Sequence, residues 1–240
     1  GHEVWAIDQW EEHIDVIREH GLRLEGKSGN RTLSINATTL PIEVGPCNLV
    51  VLATKAMHVP AAARGMRPLI GNKTQVISIQ NGLGGPEAAA KELGDTPIIT
   101  GVAGGFGASI KSPGIAHHNG MELIRFGNHG GPVTPRLEEF ADLWREAGFN
   151  VRTFDDIDQL VWEKLICNVC FSGTCTITGY TIGEVMEDAD AWHAATACAT
   201  EAFAVAIAKQ VAIDIQDPVD YVREFGKKIP HARPSMLLDH

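Results

Sequence analysis

A run of apolar residues near position 50 constrains the fold of this chain most strongly. Residues 48–54 read Asn-Leu-Val-Val-Leu-Ala-Thr, and a helical pattern over 59–69 leads into a second strand pattern at 75–79. Continuous apolar strands are typical of parallel sheets, because helices cover both faces of such sheets. The alternation of strand, helix and strand therefore predicts an α/β domain with a right-handed, mostly parallel sheet.

The flanking segments extend this pattern. Residues 4–8 predict a strand, residues 11–20 a helix that ends at Gly21, and residues 22–35 a β-hairpin with a glycine-containing turn. Residues 114–118 and 122–127 are expected as antiparallel additions at the sheet edge. A helix beginning at Pro135 and a short strand at 150–154 complete the domain.

The character of the chain changes after Asp155, where no strand pattern recurs. Helical patterns cover 157–169, 182–186, 189–211 and 217–228. The alanine-rich stretch 192–211 is apolar nearly all round, which predicts the central buried helix of an all-helical domain. We therefore predict two domains, residues 1–153 and 154–240.

Composition excludes several classes of partner. The net charge of −10 argues against nucleic acid or an anionic membrane as the main partner, because both require a basic surface. No apolar run approaches membrane-spanning length and the first residues lack the layout of a signal peptide, so a cytoplasmic protein is expected. Cys167 and Cys170 form a C-x-x-C without a second pair or histidines at ligand spacing, which favours reduced core cysteines over a metal or redox site.

Three polar residues stand at the carboxyl ends of predicted strands: Asp8, Lys55 and Asn81. Ligands of parallel sheets bind outside these ends, so we expect the three side chains to converge at one edge. An acidic residue ending a strand also matches the second half of a dinucleotide-binding unit, where its carboxylate accepts hydrogen bonds from ribose hydroxyls. The glycine-rich phosphate loop belongs roughly twenty residues upstream of such an acid. The predicted domain therefore lacks its first strand and that loop.

The segment from Trp162 to Asn168 places a lysine and an amide in apolar surroundings. Lys164 and Asn168 are four residues apart and share one side of a helix. Burying a lysine costs free energy unless a partner or substrate compensates. The segment is either a core helix with a lysine reaching to solvent along its edge, or a catalytic helix.

These segments together resemble the ketopantoate reductase family. The matching pieces, in family order, are Gly1-His2-Glu3-Val4, Lys55-Ala56, Gln80-Asn81-Gly82-Leu83-Gly84, Trp162-Glu163-Lys164-Leu165 with Asn168, and Pro234-Ser235-Met236 with Asp239. The resemblance covers essentially the whole chain. It implies a nicotinamide-dependent enzyme with a Rossmann domain followed by an all-α domain like that of 6-phosphogluconate dehydrogenase.

The resemblance also implies a role for individual residues. Lys164 is implied as the proton donor, Asn168 and Ser235 as substrate ligands, and Asn81 as a contact to both cofactor and substrate. Lys55 and the backbone of Ala108, in the turn Phe106-Gly107-Ala108, are implied as cofactor contacts.

Two departures from the family pattern bear on specificity. Family members that use NADP carry an arginine after the second strand, whereas Asp8-Gln9 stands here; a carboxylate repels the 2′-phosphate, which favours NAD over NADP. Ser172 replaces another substrate-binding asparagine, and its shorter reach affects which substrate fits.

The sequence thus predicts reduction of a small-molecule 2-keto acid to a D-2-hydroxy acid, with ketopantoate as the leading substrate. An NAD-dependent D-2-hydroxy acid dehydrogenase for another bulky 2-keto acid, and a non-catalytic cofactor-binding or interaction protein, remain open. The family's glutamate contact to the cofactor lies beyond residue 240, so the helical domain is expected to be incomplete. We expect part of a longer enzyme rather than a fragment unable to bind cofactor, since loss of a central strand would expose sheet edges. The large apolar helical domain predicts a homodimer.

Overall fold

The computed structural model describes residues 2–105, 107–120 and 123–239. Gly1, Phe106 and Glu122, which belong to segments named above, lie outside the described residues, and of Asp239 only the backbone is described. The strands are β1 (Trp5–Ile7), β2 (Leu22–Gly26), β3 (Arg31–Leu33), β4 (Asn36–Thr38), β5 (Leu49–Leu52), β6 (Gln75–Ser78), β7 (Ile98–Gly104), β8 (Gly107–Ser112), β9 (Ile115–Gly120), β10 (Leu123–Asn128) and β11 (Val151–Thr153). The α-helices are α1 (Glu11–His20), α2 (Val59–Gly65), α3 (Gly85–Leu93), α4 (Pro135–Glu146), α5 (Ile157–Thr178), α6 (Ile182–Glu187), α7 (Ala189–Ala208), α8 (Pro218–Lys228) and α9 (Ser235–Asp239).

The largest sheet has the strand order β11-β10-β7-β6-β5. Its strands pair in parallel except for β10, which runs antiparallel to β7. One face packs on α2 and α3 through a cluster that includes Leu52, Val76 and Ile98, and the other packs on α4 through Ile77 and Ile99. This arrangement confirms the Rossmann-type, mostly parallel sheet with helices on both faces.

The apolar strands β5 and β6 were predicted to be buried on both faces. This prediction is confirmed for β6 and is wrong in part for β5. All four residues of β6 are buried, whereas Val51 in β5 is 41% exposed. Strand β5 lies at one end of the described sheet, where the helices cover only one of its faces fully.

A separate two-stranded sheet holds β1, paired in parallel with β4. Asp8 therefore follows a strand of a different sheet from β5 and β6, and the convergence of Asp8, Lys55 and Asn81 at one edge stays a prediction. In the strand order of doubly wound sheets, 3-2-1-4-5-6, the first strand separates the second from the fourth. The described residues do not include a strand that pairs with both β1 and β5.

A four-stranded sheet, in the order β3-β2-β9-β8, completes the first half of the chain. The antiparallel pairing of β2 with β3 confirms the predicted hairpin. The two segments expected at the edge of the main sheet are placed differently. Strand β9 belongs to this second sheet, and β10 lies inside the main sheet between β7 and β11, because its Leu123–Asn128 backbone pairs on both sides.

The chain divides into two compact units. One comprises Gly1–Gln80 with Gly84–Ile157, and the other comprises Asn81–Leu83 with Asp158–His240. The described long segment of the second unit contains helices and no strands. Its core is formed by buried residues of α5 to α8 such as Ile166, Phe171, Val185 and Val222. No helix among the described residues has the length and apolar character to cross a membrane.

The alanine-rich helix α7 is not the central buried helix that its composition predicts. Its small side chains Ala191, Ala195 and Ala199 pack on the core, but Val205 and Ile207 are 49% and 52% exposed. Small residues allow α7 to approach its neighbours closely on one side, and the larger buried core residues come mainly from α5, α6 and α8. The predicted homodimer stays a prediction.

The cysteines of α5 are core residues. Cys167 and Cys170 are free thiols with 3% and 0% exposure. Burial raises the pKa of the Cys167 thiol to about 12 and also raises the pKa of Cys170. Both remain protonated near neutral pH, so the thiolate needed for metal binding or redox chemistry is disfavoured. No cluster of three or more metal-ligating side chains occurs among the described residues.

Candidate active site

The carboxyl ends of β5 and β6 are joined by Gln80, a residue that sequence reasoning did not single out. Its Nε2 donates to the carbonyl oxygens of Leu52 and Thr54 at 2.7 and 3.1 Å. The Ser78 hydroxyl donates to Gln80 Oε1 at 2.5 Å. These contacts fix the backbone directly before Lys55 and directly before Asn81. A signal was available in the sequence, since a polar Ser-x-Gln pair ends an otherwise buried strand.

The turn after Asn81 depends on glycine. Gly82 and Gly84 have φ values of 86° and 88°, a left-handed conformation that other residues adopt only with strain. Helix α3 begins at Gly85, directly after this turn. The Asn81-Gly82-Leu83-Gly84 segment therefore holds Asn81 in a tight, defined loop rather than in a free connection.

Lys164 contacts Asn81. Its Nζ donates to Asn81 Oδ1 at 2.7 Å, and both residues belong to the second compact unit. Lys164 is half-buried on α5, so the lysine that appeared costly in the sequence has a polar partner. An ammonium has three donors and Asn81 accepts from one of them.

Helix α5 has a polar stripe and an apolar stripe along its length. Lys164, Asn168 and Ser172 follow at intervals of four and are all half-buried, whereas Ile166 and Phe171 are buried in the core. Side chains at this spacing lie on one side of a helix. The packing of the apolar stripe therefore fixes the direction in which the polar stripe points.

Ser235 begins the short helix α9 and is exposed. Leu237 in the same helix packs against the core of the helical unit. The segment before it is held to α6 by two backbone hydrogen bonds, Ile182 N to Ala232 O at 3.1 Å and Gly183 N to Pro230 O at 2.7 Å. Ser235 is thus carried by an anchored segment of the helical unit.

Asp8, Lys55 and Ala108 lie in the first unit, each on a different element. Asp8 is exposed after β1, and its Oδ1 accepts from the Trp10 backbone N–H at 3.0 Å. Lys55 is exposed and precedes a short 3-10 turn that begins at Ala56. Ala108 is exposed in β8, opposite His118 in β9. Of the predicted site residues, the structure brings Lys164 and Asn81 into contact and aligns Asn168 and Ser172 with Lys164.

This arrangement suits chemistry in which negative charge develops on an oxygen. The Lys164 ammonium donates to the neutral amide oxygen of Asn81 at 2.7 Å. A cation held in this way both stabilises an oxyanion and supplies a proton to it. The amide of Asn168 and the hydroxyl of Ser172 continue the polar stripe one and two turns along α5.

Comparison with known proteins identifies the relatives of this chain. The sequence model of ketopantoate reductase PanE/ApbA matches residues 1–131, and that of its C-terminal domain matches residues 156–240. A 2-dehydropantoate 2-reductase from Streptococcus pyogenes serotype M3 is 27% identical over 99% of this chain and 76% of its own length.

Solved structures agree with the sequence match. The 2-dehydropantoate 2-reductase from Geobacter metallireducens GS-15 is 32% identical, with a TM-score of 0.90 over 100% of this chain and 79% of that one. D-mandelate dehydrogenase, in a ternary structure with NADH and anilino(oxo)acetate, is 25% identical, with a TM-score of 0.88 over 100% of this chain and 78% of that one. Both halves of the chain, its fold and its order of motifs thus agree, and the chain belongs to the ketopantoate reductase family.

Proposed function

We propose that this protein reduces a 2-keto acid to a D-2-hydroxy acid, with 2-dehydropantoate (ketopantoate) as the leading substrate and pantoate as its product. The observation that carries the proposal is the 2.7 Å contact between Lys164 Nζ and Asn81 Oδ1, in a chain whose relatives include 2-dehydropantoate 2-reductases. A protein that only bound a cofactor would have no need of an oriented proton donor.

A nicotinamide cofactor supplies the hydride for such a reduction when it is bound. The exposed carboxylate of Asp8, at the end of β1 and directly before α1, fits the adenosine end of such a cofactor. The described residues include no glycine-rich loop for the pyrophosphate. Lys55 and the backbone of Ala108 are further proposed cofactor contacts.

The remaining roles belong to side chains of this chain. Lys164 stabilises the charge that grows on the keto oxygen and transfers its proton there, and solvent then reprotonates the lysine. Asn168 and Ser235 are neutral donors that hold the substrate carboxylate and fix which face of the keto group is reduced. Neutral donors orient the substrate without the desolvation cost of a second buried charge.

Turnover by the full-length protein tests the reaction. We expect oxidation of a reduced nicotinamide cofactor, measured as a loss of its absorbance, when ketopantoate is added. Pyruvate serves as a control for substrate size. An absence of turnover with ketopantoate and with bulky aromatic and branched 2-keto acids would show that the protein is not a 2-keto acid reductase.

A second substrate class is favoured by Ser172 and by one relative. Ser172 is shorter than the asparagine that the family pattern has at this position, and the D-mandelate dehydrogenase relative was solved with NADH and anilino(oxo)acetate. A smaller side chain on the polar stripe of α5 leaves room for a bulkier substrate group. A higher kcat/KM for phenylglyoxylate than for ketopantoate in the same assay would favour this alternative.

Cofactor choice is proposed to depend on Asp8, with NAD preferred to NADP. Asp8→Asn keeps an acceptor for the Trp10 N–H and removes the negative charge. We expect this variant to raise kcat/KM for NADPH roughly fivefold, the effect of relieving one exposed charge repulsion of about 1 kcal/mol. Asp15→Asn, on the exposed side of α1, is the matched control. An NADPH preference in the unmodified protein would contradict the role given to Asp8.

A further inference from the structure

Trp10 presents an exposed indole directly before α1, two residues after Asp8. The residue is 41% exposed. Its ring stacks on the imidazole of His13, with ring centroids 5.3 Å apart and an angle of 18° between the two planes. Near-parallel stacking of this kind covers one face of each ring. The exposed surface of the indole therefore lies on its opposite face and along its edges.

Two hydrogen bonds hold this pair of rings in place. Asp8 Oδ1 accepts from the Trp10 backbone N–H at 3.0 Å. His13 is only 8% exposed, and its Nδ1 accepts from the Gly114 N–H at 3.0 Å. The second bond fixes the imidazole against the turn between β8 and β9. A flat ligand that stacks on a surface ordered in this way loses less binding free energy to the ordering of side chains.

The position of Asp8 determines which part of a dinucleotide reaches Trp10. An acid at this strand end accepts hydrogen bonds from the ribose of the adenosine half. A carboxylate has about four acceptor positions, so Asp8 can bind a ribose hydroxyl while it accepts from Trp10. The adenine is bonded to the ribose carbon next to the one that carries the 2′-hydroxyl. A ribose bound at Asp8 therefore brings its base close to the indole.

The charges around Trp10 favour a neutral group over an anion. Glu11 and Glu12 form the acidic first turn of α1, and both are exposed, as is Asp8. Three carboxylates repel a phosphate but not an adenine, which is uncharged at neutral pH. Every base has a π face on which an aromatic side chain can stack, and each such stack contributes about 1–3 kcal/mol.

We propose that Trp10 stacks on the adenine ring of the nicotinamide cofactor, so that the indole lies between the base and the His13 imidazole. The inference rests on the proposed function, because it places the cofactor ribose at Asp8. It adds a contact for the base to the contacts proposed for the ribose and for the rest of the cofactor. The affinity for the adenosine half then depends on an aromatic ring at position 10.

Calorimetric titration of the full-length protein with ADP-ribose tests this contact. ADP-ribose carries the adenine, its ribose and both phosphates but no nicotinamide, so binding is measured without turnover. Trp10→Ala is expected to weaken binding by roughly fivefold to a hundredfold, the effect of losing one base stack. Trp10→Phe keeps an aromatic ring and is expected to bind within about threefold of the unmodified protein. Val4→Ala is the matched control, because Val4 is 53% exposed at the other end of β1, and it leaves the affinity unchanged.

Tryptophan fluorescence gives a second measurement that is specific to stacking. The chain has five tryptophans, and a base stacked on one of them quenches the emission of that one. We expect ADP-ribose to quench part of the emission of the unmodified protein. The quenching should be absent in Trp10→Phe, although this variant still binds in the calorimeter. A purely structural role for Trp10 would not separate quenching from affinity.

Each contrary result has a distinct meaning. Unchanged affinity in Trp10→Ala would show that the adenine lies elsewhere, and the proposed reduction would be unaffected. Quenching that persists in Trp10→Phe would place the base against another tryptophan. If the unmodified protein bound no ADP-ribose, both the adenine contact and the cofactor role of Asp8 would be wrong. Binding that depends on Trp10 in a protein that reduces no 2-keto acid would refute the proposed function and leave the adenine contact standing.

Discussion

Lys164→Met lowers kcat for 2-keto acid reduction by roughly a hundredfold to ten-thousandfold, which is the range for loss of a general acid. Methionine keeps the length and the apolar stem of lysine and removes the proton donor and the positive charge. The half-buried position of Lys164 on α5 can accommodate this change without a cavity. Single-turnover measurement of cofactor oxidation isolates the chemical step from product release.

A matched substitution separates catalysis from folding. Lys209→Met removes an exposed lysine just after α7 and is expected to leave kcat unchanged. Circular dichroism checks that both variants retain their helices. If Lys164→Met turned over at the rate of Lys209→Met, Lys164 would not be the proton donor.

Substitution of Asn81, alone and together with Lys164, tests whether the two residues act as a unit. Asn81→Ala removes the oxygen that orients Lys164 at 2.7 Å but leaves the ammonium in place. Asn81→Ala should therefore lower kcat less than Lys164→Met does. In the double variant the two effects should not add, because Asn81 has nothing to orient once Lys164 is absent. Additive losses would show that the residues act independently.

The boundaries of several helices could be predicted because their ends carry specific side-chain signals. Helix α4 begins where Thr134 precedes Pro135, and the Thr134 hydroxyl accepts from the Leu137 N–H at 3.3 Å. Helix α1 ends at Gly21, whose positive φ of 80° stops the helix. Local chemistry of this kind does not depend on the rest of the fold.

The second half of α5 could not be predicted from local preference. Residues 172–178 combine a glycine with three threonines, which weakens any helical expectation. The helix continues because Phe171 and Cys175 are buried in the core. The threonine hydroxyls also donate to carbonyls one turn earlier, as in Thr176 to Ser172 O at 2.7 Å. Tertiary packing therefore outweighs propensity here.

The pairing of strands β9 and β10 could not be predicted from the sequence. The patterns at 114–118 and 122–127 predict strands correctly but cannot tell which sheet each joins, because backbone pairing leaves no mark on residue type. By contrast, the pairing of a half-buried lysine with an amide was predictable in kind, since a buried ammonium requires a partner. That the partner is Asn81 depends on the turn after β6, which only the structure shows.

Phe171→Ala is expected to destabilise the helical unit by about 3–5 kcal/mol, the range for truncating a buried phenylalanine. The ring is 1% exposed and lies between Trp192 and Phe225, whose ring centroids are 6.3 and 6.2 Å away. Gly226 packs against the same ring, since a Cβ at this glycine would stand 3.0 Å from Phe171 Cζ. A core matched this closely around one side chain cannot collapse into the space left by alanine.

Ile177→Ala provides the control on the same helix, because Ile177 is a large apolar residue that is 88% exposed. Its truncation is expected to change the free energy of unfolding by less than about 0.5 kcal/mol. Urea unfolding followed by far-ultraviolet circular dichroism measures both variants, and the helical signal reports mainly on the unit that contains α5. Equal midpoints for the two variants would show that Phe171 is not a core residue. The kcat of Phe171→Ala is also measured without urea, where the variant is still folded. A lower kcat under that condition would show that the packed face of α5 holds Lys164 and Asn168 in their reactive positions as well as stabilising the fold.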